Sequence, residues 1–259
     1  AVAWMLACLI GSLERRRWLL GLPLIALPWL TASPKAMQLQ GPPDLVIAVA
    51  NVNIRQRDPE ALLGWLQRHS ANVVVLTELS PDYANALKAR HYGGFIYQAL
   101  HPLASPPGLG ILSDRPLQNV RLIPDRLGAL RMEADINIEG RSVHFVALHP
   151  KPPMATRKYM ERDRLLHDLA ATGGSQPMII AGDINATPWS SALLGIRGKR
   201  LARITGWAPT YPSEGGGIVG IGIDHVLVSP QFGATEAERG PDIGSDHLPV
   251  RAGLRWRDK

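Results

Sequence analysis

Residues 178–190 read Met178-Ile-Ile-Ala-Gly-Asp-Ile-Asn-Ala-Thr-Pro-Trp-Ser190, an apolar run followed by polar side chains. The first four residues are all apolar, which predicts a short strand that is buried in the core. Gly182 lets the backbone turn where this strand ends, and Asp183 and Asn185 follow it. Strand alternation predicts that these two side chains point to the same side, with Ile184 opposite.

A carboxylate and a carboxamide at the end of a strand have two interpretations. They can form an Asx turn, in which the side chain bonds the backbone two residues further on. They can also contribute to a site that several strand ends build together. The second interpretation is favoured because polar residues stand at the ends of other predicted strands, namely Asn51, Glu78, His149, Asp224 and the pair Asp246-His247.

The rest of the chain predicts an alternation of strands and helices. Apolar runs predict strands at residues 45–50, 72–77, 108–113, 131–138, 143–148, 178–181, 223–228 and 250–254. Helical spacing and capping residues predict helices at 58–69, 80–90 and 156–171, with Asp58 and Ser80 as N-caps. The arginines of the third helix are predicted to lie on a solvated face.

Length and charge limit the classes of protein. The 259 residues fit one domain of about 220 residues plus a tail. Of the net charge of +6, residues 1–39 supply +3 (four bases, one acid) and the rest supplies +3 (24 bases, 21 acids). This excess is weak evidence for a nucleic-acid partner. With Cys8 as its single cysteine, the chain can form no intrachain disulfide.

The first 30 residues are mostly apolar and contain a basic turn. Residues 1–13 and 18–30 are two apolar segments on either side of Arg15, Arg16 and Arg17. Three interpretations are open: membrane-spanning segments, a signal peptide, or an arm packed on the domain. Membrane attachment is favoured, and the positive-inside rule then places the domain outside the cytoplasm. The predicted boundaries are a membrane-associated tail at 1–33, a polar linker at 34–43 and a catalytic domain at 44–259.

The residue types at the predicted strand ends suit phosphoester chemistry. Asn51, Glu78 and Asp246 offer hard oxygen ligands, which favour Mg²⁺, with Mn²⁺ as a second option, over zinc. Asp183 can stay ionised and accept a proton from water, and histidines can stabilise an anionic substrate. Two other classes are excluded, because the chain has neither a Gly-x-Ser-x-Gly elbow nor the Gly-Lys-Ser/Thr ending of a phosphate-binding P-loop.

Six short motifs resemble the endonuclease/exonuclease/phosphatase superfamily, the DNase I-like phosphoesterases. They occur in that family's order and span residues 45–254: Val49-Ala-Asn-Val-Asn53, Leu76-Thr-Glu78, Leu148-His-Pro150, Gly182-Asp-Ile-Asn-Ala-Thr-Pro188, Ile223-Asp-His-Val226 and Ser245-Asp-His-Leu-Pro-Val250. The resemblance implies an α/β fold, a four-layer sandwich of two mixed β-sheets flanked by helices. Joined to the apolar tail, it also resembles a membrane-tethered bacterial subgroup.

The resemblance also implies roles for individual residues. The implied metal ligands are Glu78, Asn51 and Asp246, and Asn53 stands near the metal in a less certain role. The implied catalytic residues are Asp183 as general base, Asn185 orienting water and phosphate, His247 and His149 at the phosphate, and Asp224 as the partner of His247.

The predicted function is a metal-dependent phosphoesterase that hydrolyses a phosphodiester or a phosphomonoester by in-line attack of an activated water. One alternative is an inactive binding or scaffold protein on the same fold, and a second, within enzymes, is a DNA nuclease. The predicted partners are a phosphoester substrate (nucleic acid, phospholipid or small molecule) and a membrane, and no obligate protein partner is evident. The predicted location is membrane-anchored, with an extracytoplasmic domain.

Overall fold

The computed structural model describes residues 32–33, 35–90, 94–172, 176–196, 201–217 and 219–258. The predicted membrane-associated tail lies outside these residues, except for Ala32 and Ser33. Within the described residues, no helix is both long and apolar enough to cross a bilayer.

The described residues contain twelve strands and four α-helices. The strands are β1 (Leu45–Asn51), β2 (Val73–Thr77), β3 (Tyr97–His101), β4 (Leu109–Ser113), β5 (Gln118–Pro124), β6 (Leu130–Ile138), β7 (Arg141–Leu148), β8 (Met178–Asp183), β9 (Ala202–Arg203), β10 (Asp224–Val228), β11 (Phe232–Arg239) and β12 (Val250–Trp256). The helices are α1 (Glu60–Arg68), α2 (Pro81–Ala89), α3 (Thr156–Thr172) and α4 (Ser191–Leu194). A short 3₁₀ turn covers Glu214–Gly217.

The strands form two mixed sheets of six strands each. The first sheet has the order β11-β12-β1-β2-β4-β3, and the second has the order β5-β6-β7-β8-β10-β9. In each sheet one central pair is parallel, β1 with β2 and β7 with β8. The strands β12 and β10 run antiparallel beside these pairs.

Apolar side chains hold these sheets together in four layers. The central core lies between the sheets and joins side chains such as Ile47 and Val75 of the first to Phe145 and Ile179 of the second. On the outer faces, α1 and α2 cover the first sheet, while α3 and α4 cover the second. Strands buried on both faces carry continuous apolar runs, which is why the sequence reveals them. The predicted four-layer sandwich is confirmed.

Four strands were not predicted, and they are the edge strands of the two sheets, β3, β5, β9 and β11. The side chains of β5 are exposed or half-buried throughout, and β3 has no fully buried residue. The second half of β11 is exposed as well, and β9 has only two residues. A strand that is very short, or whose side chains meet solvent on both faces, carries no apolar run or alternation that sequence reasoning could detect.

The predicted linker lies along the domain. Lys35 forms a β-bridge with Arg203, and Gln38 forms another with Ala234. Ala36 is buried, and its amide donates to the Arg203 carbonyl. The chain therefore contacts both sheets before β1 begins.

The topology brings the functional strand ends together. The carboxyl ends of β1, β2, β7 and β8 meet at one edge of the sandwich. The strands of each parallel pair run in the same direction, and Asn51 at the end of β1 is hydrogen-bonded to Asp183 at the end of β8. Because β10 and β12 are antiparallel to these strands, they begin at the same edge: Asp224 pairs with Asp183, and Val250 with Val49. We call this edge the site edge.

Gly182 is needed where β8 passes β7. Its φ is +151°, and a Cβ built there would lie 2.0 Å from the Leu148 carbonyl oxygen. We expect Gly182→Ala to lower the free energy of unfolding by about 3 kcal/mol, from strain and overpacking. The matched control Gly140→Ala has φ +82° and no atom within 4 Å of the built Cβ. It is expected to cost about 1–2 kcal/mol, from backbone strain alone. Equal losses in urea unfolding would contradict this assignment.

Candidate active site

The Asn51 side chain connects the two sheets at the site edge. Its Nδ2 lies 3.1 Å from Glu78 Oε1 in the first sheet and 3.1 Å from Asp183 Oδ2 in the second. Its Oδ1 accepts a hydrogen bond from the Asn53 amide at 3.0 Å. Asn51 and Asp183 are both buried, so each polar atom needs such a partner.

Glu78 leaves β2 in a backbone conformation that few residues adopt. Its φ is +57°, in the left-handed region, and its Oε2 accepts from the Ile54 amide at 3.2 Å. Asn53 has a similar φ of +54°. Two non-glycine residues with positive φ in facing loops indicate that side-chain placement outweighs backbone strain here.

Asp246 approaches the same region from the loop before β12. Its Oδ1 accepts from Asn53 Nδ2 at 2.9 Å. The preceding Ser245 fixes this loop, because its hydroxyl donates to the Asn51 carbonyl at 2.7 Å. The His247 amide in turn donates to that hydroxyl.

His247 and Asp224 form a buried pair. His247 Nδ1 lies 2.9 Å from Asp224 Oδ2, and both side chains are almost completely buried. Burial alone would lower the pKa of His247, but the nearby carboxylates, Asp224 first, raise it to about 9. Burial raises the pKa of the Asp224 carboxyl, and the charge of His247 opposes that rise. His247 is therefore held as an imidazolium at neutral pH, with its Nε2 directed to Asp183 at 3.7 Å.

His149 reaches Asp183 from the other side. It directly follows β7, and its Nε2 lies 3.5 Å from Asp183 Oδ2. Asp183 Oδ2 thus has two imidazole nitrogens and the Asn51 amide around it. An anion placed at this point would meet the same donors.

Asn185 shows that both interpretations of the Asp183-Asn185 pair apply. The Asn185 amide donates to Asp183 Oδ1 at 2.9 Å, which is an Asx turn, and its φ is +53°. Its side-chain Nδ2 donates to the Pro150 carbonyl at 3.0 Å, which ties the loop to that of His149. Ile184 is fully buried among the apolar side chains beneath α3 and α4.

Arg162 is a site residue that the sequence did not reveal. The prediction that the α3 arginines lie on a solvated face is wrong for Arg162, which is only 3% exposed. Its guanidinium donates to the Asn185 carbonyl at 2.5 Å and to Asp163 at 2.8 Å. It therefore stabilises the loop that presents Asn185, while its charge is paired with the Asp163 carboxylate.

The segment before β10 supports the pair of His247 and Asp224. The Tyr211 ring lies 4.9 Å from the His247 ring, and Tyr211 is 38% exposed. The neighbouring Thr210 Oγ1 accepts from the Asp224 amide at 3.3 Å.

His225 has a structural role beside the site. Its ring nitrogens contact Thr205 Oγ1 at 2.9 Å and the Ala186 carbonyl at 2.8 Å. Burial lowers its pKa to about 4, so it stays neutral at physiological pH. It faces away from Asp224 and fixes the loop that follows Asn185.

Among the described residues, one cluster of acidic and histidine side chains could hold a cation. Asp183, Asp224 and His247 place one ligand atom each within 4.8 Å of one another. Both ring nitrogens of His247 face carboxylates, however, and its raised pKa keeps it protonated, which disfavours metal binding. Glu78 and Asp246 fit better, because the hydrogen bonds they accept come from uncharged amide and hydroxyl groups. Their carboxylates supply the hard oxygens that suit Mg²⁺. Asn51 directs Nδ2 at Glu78 and Oδ1 at the Asn53 amide, so its oxygen would face a cation beside Glu78 only after the side-chain amide turns over.

A separate cleft of about 530 Å³ lies on the outer face of the second sheet, beside α3. Its charged lining consists of ion pairs such as Arg131 with Glu133. It contains none of the predicted site residues. The predicted site residues lie at the site edge and not in this cleft.

The fold resembles several solved structures. The structure titled D. rerio TDP2 complexed with single strand DNA product matches with a TM-score of 0.66 and 16% identity, over 82% of this chain and 98% of that chain. A 3' phosphatase, NExo from Neisseria, bound to product DNA hairpin matches at 0.62 and 18%, over 82% and 100%. An endonuclease/exonuclease/phosphatase from Bacteroides vulgatus matches at 0.64 and 15%, over 82% and 99%.

Sequence comparison identifies the family. No curated protein matches the chain significantly. The model of the Endonuclease/Exonuclease/phosphatase family matches residues 48–247, which include every predicted site residue from Asn51 to His247. The chain therefore belongs to the endonuclease/exonuclease/phosphatase family.

Proposed function

We propose that this protein is a metal-dependent phosphoesterase whose active site is the group at the site edge. The observation that carries the proposal is the convergence of His149, His247 and Asn51 on the Asp183 carboxylate. Glu78 lies on the far side of Asn51. A base, imidazoles that donate hydrogen bonds, and a cluster of oxygen ligands are the groups that phosphoester hydrolysis by water needs.

In this mechanism the chain's own residues bind the phosphate and activate water. Asp183 accepts a proton from the attacking water, whose oxygen bonds to phosphorus while the bond to the leaving oxygen breaks. His247 and His149 donate hydrogen bonds to the phosphate oxygens as negative charge grows on them. Asp224 keeps His247 charged, and Asn185 orients the water and phosphate oxygens.

Glu78, Asn51 and Asp246 are the residues that would hold the divalent cation, which we propose to be Mg²⁺, with Mn²⁺ as a substitute. When bound, it would neutralise phosphate charge and polarise the phosphorus–oxygen bonds.

The proposal of an inactive relative on the same fold has less support. Loss of catalysis would release the buried polar residues from selection, and replacement by apolar residues would remove a desolvation cost. Asp183, Asp224 and His247 instead stay buried and oriented towards one another.

For the substrate we propose a small or lipid-derived phosphodiester, with DNA as the second candidate. DNA is favoured by the titles of two structural relatives, which name bound DNA products. Against it, residues 40–259 carry an excess of only three positive charges, and Arg57 is engaged in an ion pair with Asp82. A duplex needs several free cationic side chains along a groove.

For the location we propose a membrane-anchored protein with its domain outside the cytoplasm. The support is the apolar composition of residues 1–30 and the three arginines within it.

The proposed metal and base roles predict different defects. Glu78→Gln is expected to weaken metal binding, so that excess Mg²⁺ restores part of the activity. Asp183→Asn is expected to lower turnover at saturating Mg²⁺ by at least about 10²-fold, because a general base is lost. Rates are measured with bis-p-nitrophenyl phosphate across a Mg²⁺ titration. Wild-type turnover in Asp183→Asn would remove it from the mechanism.

The pairing of His247 with Asp224 predicts related defects. His247→Ala is expected to abolish most of the activity and also to lower the urea midpoint, because it leaves the buried Asp224 carboxylate without its partner. Asp224→Asn is expected to cause part of the same loss, because the imidazole loses its orienting charge. The readouts are turnover and the urea midpoint of each variant. If Asp224→Asn keeps full activity while His247→Ala has none, the proposed pairing of His247 with Asp224 is wrong.

The proposed substrate class predicts weak, non-specific DNA cleavage. Plasmid nicking is expected to be slow, and binding to duplex DNA is expected to be weak at about 0.15 M salt. A small or lipid phosphodiester should be hydrolysed more efficiently under the same conditions. Tight duplex binding with efficient nicking would favour the nuclease and leave the phosphoesterase proposal intact.

The proposed location predicts that alkaline phosphatase fused after Pro34 is active, because this reporter folds in an oxidising compartment. Neutral replacements of Arg15, Arg16 and Arg17 are expected to reduce that activity, since they weaken the orientation. An inactive fusion, with a fluorescent reporter at the same position, would place the domain in the cytoplasm.

A further inference from the structure

The chain enters the folded domain beside the loop that carries Asp183 and Asn185. The Ser33 amide donates to the Pro188 carbonyl at 2.7 Å, and its hydroxyl accepts from Arg203 Nε at 3.2 Å. Ser33 and Arg203 are both buried. This entry point is fixed by hydrogen bonds and belongs to the site edge.

An aromatic and cationic surface lies next to this entry point. Trp189, directly after Pro188, is 37% exposed, and its ring contacts the Trp207 ring edge-on at 5.8 Å. The Lys35 ammonium lies 6.0 Å from the centre of the Trp207 ring. We call Lys35, Trp189 and Trp207 the tryptophan patch.

Other exposed apolar side chains occupy loops of the same edge. Met154, in the loop after His149, is 83% exposed. Val219 is 85% exposed, and Ile221 is 47% exposed and bridges Tyr211, which contacts His247. Large apolar side chains in this number around one edge mark an interaction surface.

The sequence before the entry point indicates what this surface meets. Residues 18–30 are apolar and contain Trp18 and Trp29, and Arg15, Arg16 and Arg17 precede them. Apolar residues flanked by tryptophans and basic residues match a lipid surface with anionic headgroups. Leu30 lies three residues before Ser33, so the chain can separate them by about 10 Å at most. A bilayer that binds this segment therefore lies close to Pro188.

We propose that the site edge docks on a lipid surface, with Trp189 and Met154 at the level of the headgroups. Tryptophan suits this position because its ring is apolar and its N–H group is polar. Docking would direct the site edge to the bilayer, so the substrate taken there would be a phosphoester exposed at that surface. The docking rests on the proposed membrane attachment of residues 18–30, and this last step rests in addition on the proposed phosphoesterase function.

The test measures which side of the full-length domain meets lipid. Cys8→Ser gives a cysteine-free background, in which Trp189→Cys, Met154→Cys or Ile96→Cys receives an environment-sensitive fluorophore. Ile96 is the control, because it is 75% exposed but precedes β3 at the end of the first sheet away from the site edge. The full chain is added to vesicles of phosphatidylcholine and phosphatidylglycerol that contain a quencher-labelled lipid. We expect several-fold more quenching at positions 189 and 154 than at 96.

Four results would overturn the proposal. The first is that the chain does not float with the vesicles. The second and third are that floating protein shows no quenching at positions 189 and 154, or equal quenching at position 96. The fourth is that the fluorescence at position 189 changes with protein concentration in detergent without lipid. The last would mean that a second copy covers the face. Hydrolysis of bis-p-nitrophenyl phosphate by the unlabelled chain is measured separately. Activity without site-edge quenching would overturn only the docking, and quenching without activity would overturn only the phosphoesterase.

Discussion

The hydrogen bonds from the Asn51 amide to Glu78 and Asp183 join the two sheets at the point where the chemistry is placed. They depend on the layered packing, because Asn51 ends β1 and Asp183 ends β8. The inward side chains of these two strands, such as Ile47 and Ile179, pack in the central core. A small change in sheet separation would break one of these hydrogen bonds. The core therefore sets the geometry of the site, and the site residues come from six separate segments of the chain.

This arrangement buries several charges, which is costly unless each has a partner. Asp224 and Asp183 are 1% and 2% exposed, and His247 lies between them. Its pKa of about 9 reflects that position. On the first-sheet side of Asn51 lie the carboxylates of Glu78 and Asp246. Among the described contacts, these two carboxylates accept hydrogen bonds only from uncharged groups, so their negative charge is left for a cation. The site thus separates into an imidazole half and a carboxylate half, with Asn51 between them.

Much of the architecture could be predicted from local patterns. The buried strands carry continuous apolar runs, and Ser80 caps α2 by accepting from the Tyr83 amide, as its position before Pro81 predicted. The polar residues at the strand ends converge because the strands do. Arg162 could not be predicted, since its neighbours Glu161 and Asp163 give the helix the appearance of a solvated face. Its burial depends on the distant loop of Asn185. The contact of Ser33 with Pro188 likewise joins segments with no shared local signal.

The most direct test of the account is a crystal of the protein soaked with Mn²⁺ and measured at the manganese absorption edge. The account predicts an anomalous peak among the oxygens of Glu78, Asn51 and Asp246, with Asp183 free to act on water. A peak bound instead by Asp183, Asp224 and His247, the other group that can hold a cation, would contradict it.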